Sequence, residues 1–160
     1  MQNMFMKIDG IDGESTVKGY EKQIEIYSFS HNFSQPTSPL RSSEGGGTTS
    51  RAQHGEFSVS KRTDLSTADL CKALWSGKHI SEIVFTACRM DGDDVVAYLV
   101  VTMNDVVISN YSISGGGDLP METFSLNYGK IKYEYKKQKE AGGAEGTKAG
   151  MHDLETNQIS

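Results

Sequence analysis

The feature that most constrains this chain is a strand with no wet side. Val95, Ala97, Leu99, Val101 and Met103 alternate with Val96, Tyr98, Val100 and Thr102. A period of two marks a β-strand, because successive side chains point to opposite faces. A half-solvated antiparallel strand carries polar residues on its outer face, yet here that face is nearly as apolar as the inner one. Something must cover it: a helix, a neighbouring sheet or another subunit.

The same alternation recurs along the chain. Met4, Met6 and Ile8 alternate with Phe5, Lys7 and Asp9, and Ile24 and Ile26 lie opposite Tyr27 and Phe29. Glu56 to Ser60 alternates, as do Ile83, Phe85 and Ala87 against Val84, Thr86 and Cys88. Val106 to Ile113 continues the β character, followed by Phe124, Leu126 and Tyr128, then Ile131, Tyr133 and Tyr135 with opposite parity. A bulge or bend around Gly129 would return the second set to the first set's face. Asp91-Gly92-Asp93-Asp94 predicts a hairpin, and Ser114 to Asp118, with three consecutive glycines, a flexible connection.

One helix is expected, at 66–76. Ser66 is placed as N-cap, Asp69 as its capping-box partner, and Leu65 with Leu70 as a hydrophobic staple. Leu70, Ala73 and Leu74 share a face flanked by Trp75. Gly77 fits the position just past the C-cap, with Lys78 and His79 at the electronegative end. With no βαβ rhythm, the fold class is mostly β: a small antiparallel β-barrel (two packed sheets) with one flanking α-helix and a long extended loop. That loop, 34–55, has no periodicity, two prolines and three successive glycines, and exceeds the usual ceiling of roughly 12–15 residues. The domain spans 1–135. The Gly-rich tail at 136–160 reads, taken alone, as disordered.

Composition then removes function classes. Sixteen basic against twenty-one acidic residues leave a net charge of −5, which argues against a general nucleic-acid binder or attachment to anionic lipid. No stretch approaches ~18 apolar residues, so no membrane insertion is expected. The N-terminal residues lack the pattern of a signal peptide. Cys71 and Cys88 are too few for a disulfide framework and are expected to be buried free thiols.

No set of residues assembles a reaction. His31, His54, His79 and His152 show no recognised metal-site spacing, and there is no HExxH. His79 is expected beside the helix C-terminus, and His31 and His54 on the surface. Gly77-Lys78 is not a P-loop, and Asp91, Asp93 and Asp94 suit a solvated hairpin tip better than a calcium loop. Tyr128, Tyr133 and Tyr135 are expected in core or interface packing rather than as a stacking platform. Asn32-Phe33-Ser34 and Asn110-Tyr111-Ser112 match a glycosylation pattern that means little without secretion through the usual route. We expect no catalytic, cofactor-binding or metal residues, and an assembly or binding module rather than an enzyme.

Several ordered segments resemble one family, the haemolysin-coregulated proteins (Hcp) of type VI secretion. FMKIDGIDGES at 5–15 is similar to the family's opening strand and turn, and IEIYSFS at 24–30 to its second strand. Asp64-Leu65-Ser66, Leu70 and Gly77-Lys78-His79-Ile80 resemble its helix segment. MNDVVISNYSISGG at 103–116 and FSLNYGKIKYEY at 124–135 resemble its last strands. Gly146-Thr147, Ala149-Gly150, Asp153 and Asn157 resemble the tail of one branch. Tyr20 stands where many members carry His, Gly19 where a charged residue is common, and Thr67 where proline often follows the serine; a helix does not require that proline.

The resemblance implies a β-barrel with one helix whose copies form hexameric rings that stack into a hollow tube. It implies that a contractile sheath drives the tube, tipped by a spike (VgrG-type) protein, out of the cell. Small effectors ride in the lumen, and the subunit passes from cytoplasm to the extracellular space or target cell. It implies that the 34–55 segment helps one ring contact the next. The alternative is a monomeric ligand-binding β-barrel.

Overall fold

A computed structural model describes residues 3–37, 51–138 and 144–160. Eleven strands and one helix are present: β1 (Met4–Ile8), β2 (Ile24–Ile26), β3 (Ser28–Ser30), β4 (Phe33–Ser34), β5 (Gln53–His54), β6 (Phe57–Arg62), α1 (Thr67–Trp75), β7 (Ile80–Asp91), β8 (Asp94–Gly116), β9 (Asp118–Gln138), β10 (Ala144–Asp153) and β11 (Gln158–Ile159). The fold is mostly β with one helix, as the alternation requires. The strands form one nine-stranded antiparallel network, where the sequence suggested two packed sheets, plus a separate ribbon of β4 and β5. In the network β7 lies between β1 and β8, β9 between β8 and β10, and β6 joins β3 to β9.

The core is built by the predicted alternation. Ile24, Ile26, Phe57, Ile83, Phe85, Val101, Met103, Phe124 and Leu126 are sealed from solvent. Each such side chain contributes roughly 1.5–3 kcal/mol on leaving water. Phe57 and Phe85 pack at 5.2 Å between ring centroids, and Phe29 stacks on Phe57 and lies tilted against Phe85.

The parity change at Gly129 is real and is shared. On β9 the buried positions run Phe124, Leu126, Tyr128 and then Ile131. On β8 they run Val101, Met103 and then Val106, Ile108. Yet the register is continuous, from Asn104↔Lys130 to Val106↔Tyr128. Both strands exchange faces at one level, so neither needs an extra residue there. Asp105 has φ +51 at this level, and a Cβ on Gly129 would lie 3.3 Å from the Asp105 carboxylate. The bulge itself comes later, between Ile108 and Asn110.

The hairpin at 91–94 forms as expected. Asp91 pairs with Asp94, and Gly92 at φ +63 takes the first central position, which favours glycine in a two-residue turn. The glycine run is no flexible connection: the ladder reaches Gly116↔Asp118, and Gly117 at φ +95 makes the turn.

The helix differs from expectation at its start. Ser66 is already helical (φ −78, ψ −16) and makes no side-chain cap. Its hydroxyl instead donates to Asp64, whose Oδ1 also accepts the Ser66 N–H at 2.8 Å. Asp64 therefore organises the first turn, and Leu65, 67% exposed, makes no staple. The end follows the sequence: the Gly77 N–H bonds the Leu74 carbonyl and the Lys78 N–H bonds that of Ala73, with Gly77 at φ +61. This double closure is the Schellman arrangement.

The tail is the larger correction. β10 pairs with β9 from Ala144↔Gln138 to Asp153↔Lys130, and β11 pairs back onto β10. The Leu154 N–H also bonds the Gly129 carbonyl at 2.9 Å. Glycines weaken a strand only locally, whereas the long β9 edge supplies a row of backbone partners that the tail's composition does not reveal. Most of the 34–55 segment, at 38–50, lies outside the described residues; its two ends are the β4–β5 ribbon.

Candidate functional site

Strand β8 places two unlike surfaces end to end. Val101 and Met103 are buried, but Val95, Val96, Ala97, Tyr98, Leu99 and Val100 are all only half-buried. Neither face of this apolar stretch is fully covered. Helix α1 packs farther along, where Leu74 and Trp75 line an open groove with Tyr111 and Ile113. The β8–β9 ladder begins at Leu99↔Tyr135, so among the described residues Val95 to Ala97 pair with β7 alone. The Arg89 guanidinium lies 4.7 Å from the Tyr98 ring centre, leaving that aromatic face partly shared with solvent. Trp75, 77% exposed, and Ile113 extend the apolar surface around the helix.

A second feature is a buried ionic cluster that the sequence reading missed. Lys61 on β6 and Glu122 on β9 are register partners, both fully buried, with Nζ and Oε1 3.0 Å apart. Lys61 also donates to Asp64 at 2.9 Å and to the Arg62 carbonyl at 3.0 Å. Glu122 accepts from Thr63 at 2.7 Å, Thr67 at 2.8 Å and the Tyr111 hydroxyl. Burial alone would raise the Glu122 pKa, but these donors outweigh it and hold the carboxyl below its ordinary value. Parity carried the missing signal: Lys61 continues the inward set Phe57, Val59, and Glu122 begins the inward set Phe124, Leu126. The cluster fastens α1 to the sheet.

The third feature joins residues the sequence left apart. His31 follows β3, His54 lies on β5, Tyr128 and Tyr133 on β9, and His152 on β10. His31 Nδ1 is 2.6 Å from the Tyr133 hydroxyl and its Nε2 2.8 Å from that of Tyr128. His54 Nδ1 meets the same Tyr128 hydroxyl at 2.7 Å, and its Nε2 meets His152 Nδ1 at 2.8 Å. His152 Nε2 ends the series on Asn157 Oδ1 at 2.9 Å. Phe33 packs edge-on against His31 and His54. Burial pushes the His31 pKa down to about 4, partly opposed by the Gly55 carbonyl, and burial then neighbouring His152 lower that of His54. Burial raises the phenols of Tyr128 and Tyr133, the latter to about 12.

These residues correct three expectations. His31 and His54 are not ordinary surface residues; their rings lie between the ribbon and the sheet. His79 bonds Asp105 at 2.8 Å rather than the helix end, because Ser76, Gly77 and Lys78 already bond the last helical carbonyls. Tyr128 is buried in the core, as expected, and Tyr135 is 48% exposed. Cys88 is a buried free thiol, but Cys71 is half-exposed in the α1 groove.

The surfaces describe an assembling β-protein: apolar strand left open, polar groups engaged with one another. Comparison with known proteins gives that class a family. Residues 5–135 match the model of the type VI secretion system effector Hcp family. The chain is 33% identical over 146 residues to protein hcp1 of Pseudomonas aeruginosa, covering 90% of this chain and 89% of that one. It superposes on a solved type six secretion system protein with a TM-score of 0.90 at 27% identity, covering 100% of both chains. Hcp1 from Salmonella typhimurium gives 0.78 at 28% identity, covering 98% of this chain and 97% of that one. The chain belongs to the Hcp family. It is thus a structural protein of type VI secretion and not an enzyme.

Proposed function

We propose that six copies close into a ring, that rings stack into a hollow tube, and that the uncovered stretch of β8 at 95–100 is a lateral contact between neighbouring copies. The half-buried state of six consecutive apolar residues carries this reading. A contiguous apolar patch of this kind marks an interface. Within each copy the sheet closes into a barrel, supported by the Tyr27 N–H donating to the Ser60 carbonyl at 2.8 Å, which bridges β2 and β3 along β6. The lateral contacts are heterologous, each copy using two different patches, as a closed ring requires.

The 34–55 segment forms the ring-to-ring contact on one face, presented by the β4–β5 ribbon, and the 136–160 segment is a C-terminal arm of the 1–135 domain. Six weak copies of one contact add multivalently, which suits a tube that assembles, is fired and later dissociates. By family likeness the tube is expelled by a contractile sheath behind a spike protein and carries small effectors in its lumen. The subunit starts in the cytoplasm and leaves by the type VI route without a signal peptide.

Electron microscopy of the purified protein and of a variant lacking residues 40–52 tests this. Single rings without tubes from the variant, and tubes from the parent, support the proposal. Normal tubes from the variant overturn the role given to the 34–55 segment.

A further inference from the structure

The five hydrogen bonds joining His31, His54, His152, Tyr128, Tyr133 and Asn157 admit one proton arrangement when every imidazole is neutral. Asn157 Oδ1 only accepts, so His152 carries its proton on Nε2 and accepts at Nδ1. His54 must then donate from Nε2 and accept at Nδ1 from the Tyr128 hydroxyl. That hydroxyl in turn accepts from His31 Nε2–H, which also lies 3.1 Å from the Gly55 carbonyl. His31 Nδ1 finally accepts the Tyr133 proton. Every ring donates once and accepts once, and all three are Nε2–H tautomers.

We infer that this series is an acid-released latch holding the base of the 34–55 segment onto β9 and onto the C-terminal hairpin. The ribbon it joins has little else to hold it, whereas the C-terminal hairpin is also tied to β9 by the ladder from Ala144↔Gln138 to Asp153↔Lys130. The β4–β5 ribbon is a separate two-pair ladder, Phe33↔His54 and Ser34↔Gln53. His152 and Asn157 belong to the β10–β11 hairpin. Ribbon and hairpin are also joined by Arg51 Nη1, which donates to the Leu154 carbonyl at 3.3 Å.

An added proton on His54 or His152 has no place in the series. On His152 Nδ1 it would face the His54 N–H across 2.8 Å. On His54 Nδ1 it would face the Tyr128 hydroxyl, which would then accept twice and have no partner for its own proton. Charging both rings sets two cations with centres 4.9 Å apart. The surrounding charges give no relief. Asp153 Oδ1 is held by the Glu155 and Thr156 amides, Glu56 accepts from Ser109, Lys130 lies across from Asp153, and Arg51 is itself cationic. Among the described residues no carboxylate is hydrogen-bonded to any of the three rings, and the Gly55 carbonyl beside His31 offsets burial only in part. The depressed His31 and His54 basicities agree with this geometry.

The latch stands on the chain's own contacts; only its effect on stacking rests on the proposed function. Amide hydrogen exchange on the intact protein tests it at about pH 7.5 and about pH 5, with long-range nitrogen NMR reading the tautomers. We expect three Nε2–H rings at the higher pH. After correction for intrinsic rates, exchange at 51–55 should rise about tenfold or more at the lower pH while the β7–β8 and β9–β10 ladders stay protected. Tyr128→Phe should produce the same local exchange at the higher pH. Exchange indifferent to pH, simultaneous opening of every ladder, an Nδ1–H tautomer at His54 or His152, or full protection in Tyr128→Phe would each overturn the latch. Light scattering on the same samples reports the oligomer separately, so a monomer with an acid-opened latch defeats the ring proposal and leaves the latch intact.

Discussion

The two halves of strand β8 have nearly the same composition and opposite fates. From Val101 to Ile108 every second or third residue is sealed among Phe85, Phe124, Leu126 and Tyr128, with the phase changing at Asp105. From Val95 to Val100 the residues are just as apolar, yet none is buried. The difference lies in the neighbours. The first half has strands on both sides and a core beneath it, whereas the second outruns the β9 ladder from Val95 to Ala97 and meets it only at Leu99 and Val100. Apolar composition thus does not separate strand sealed in the core from strand left open; position in the sheet does.

The largest expected effect breaks the buried half. Val101→Asp puts an unpaired carboxylate into a fully apolar site and should cost at least about 4 kcal/mol, abolishing cooperative unfolding in urea. A folded variant with a near-normal midpoint would show that this half is not the core. Next comes the ionic cluster. Glu122→Gln leaves Lys61 buried with Asp64 as its remaining carboxylate and should cost about 3–5 kcal/mol, with part recovered by adding Lys61→Met. Loss of under about 1 kcal/mol would mean that Lys61 reaches water when Glu122 is neutralised.

A smaller effect follows pH. The folded His31 binds a proton less readily than the unfolded chain, so its contribution is complete above about 6.5 and is lost as pH falls from there towards about 4. The urea midpoint should be level above that window and decline within it, and His31→Gln should flatten the upper part of the decline. A parent midpoint that holds steady down to about pH 5 contradicts this.

Much of this architecture was readable because period two is dictated by backbone geometry. The helix and its Gly77 terminus, the 91–94 hairpin and the change of face at Gly129 all follow from residues close together in sequence. What escaped depends on distant partners. The tail's glycines gave no sign of the β9 edge that orders it. Ser66 is a local exception: it has the chemistry of a cap, but Asp64, two residues earlier, takes its hydroxyl and its N–H. Lys61 and Glu122 sit at inward positions of strands that only the fold brings together. The histidines could not be joined by spacing, since their contacts span 97 and 98 residues.

The central claim is that a second copy covers residues 95–100. Val96→Glu with Val100→Lys places opposite charges across from Arg89 and Glu134, so the sheet itself should lose no more than about 0.5 kcal/mol. Size-exclusion chromatography with light scattering on parent and double variant is the direct measurement. The account predicts six chain masses for the parent and one for the folded variant. A parent of a single chain mass at micromolar concentration, or a variant that still runs as six, would contradict it.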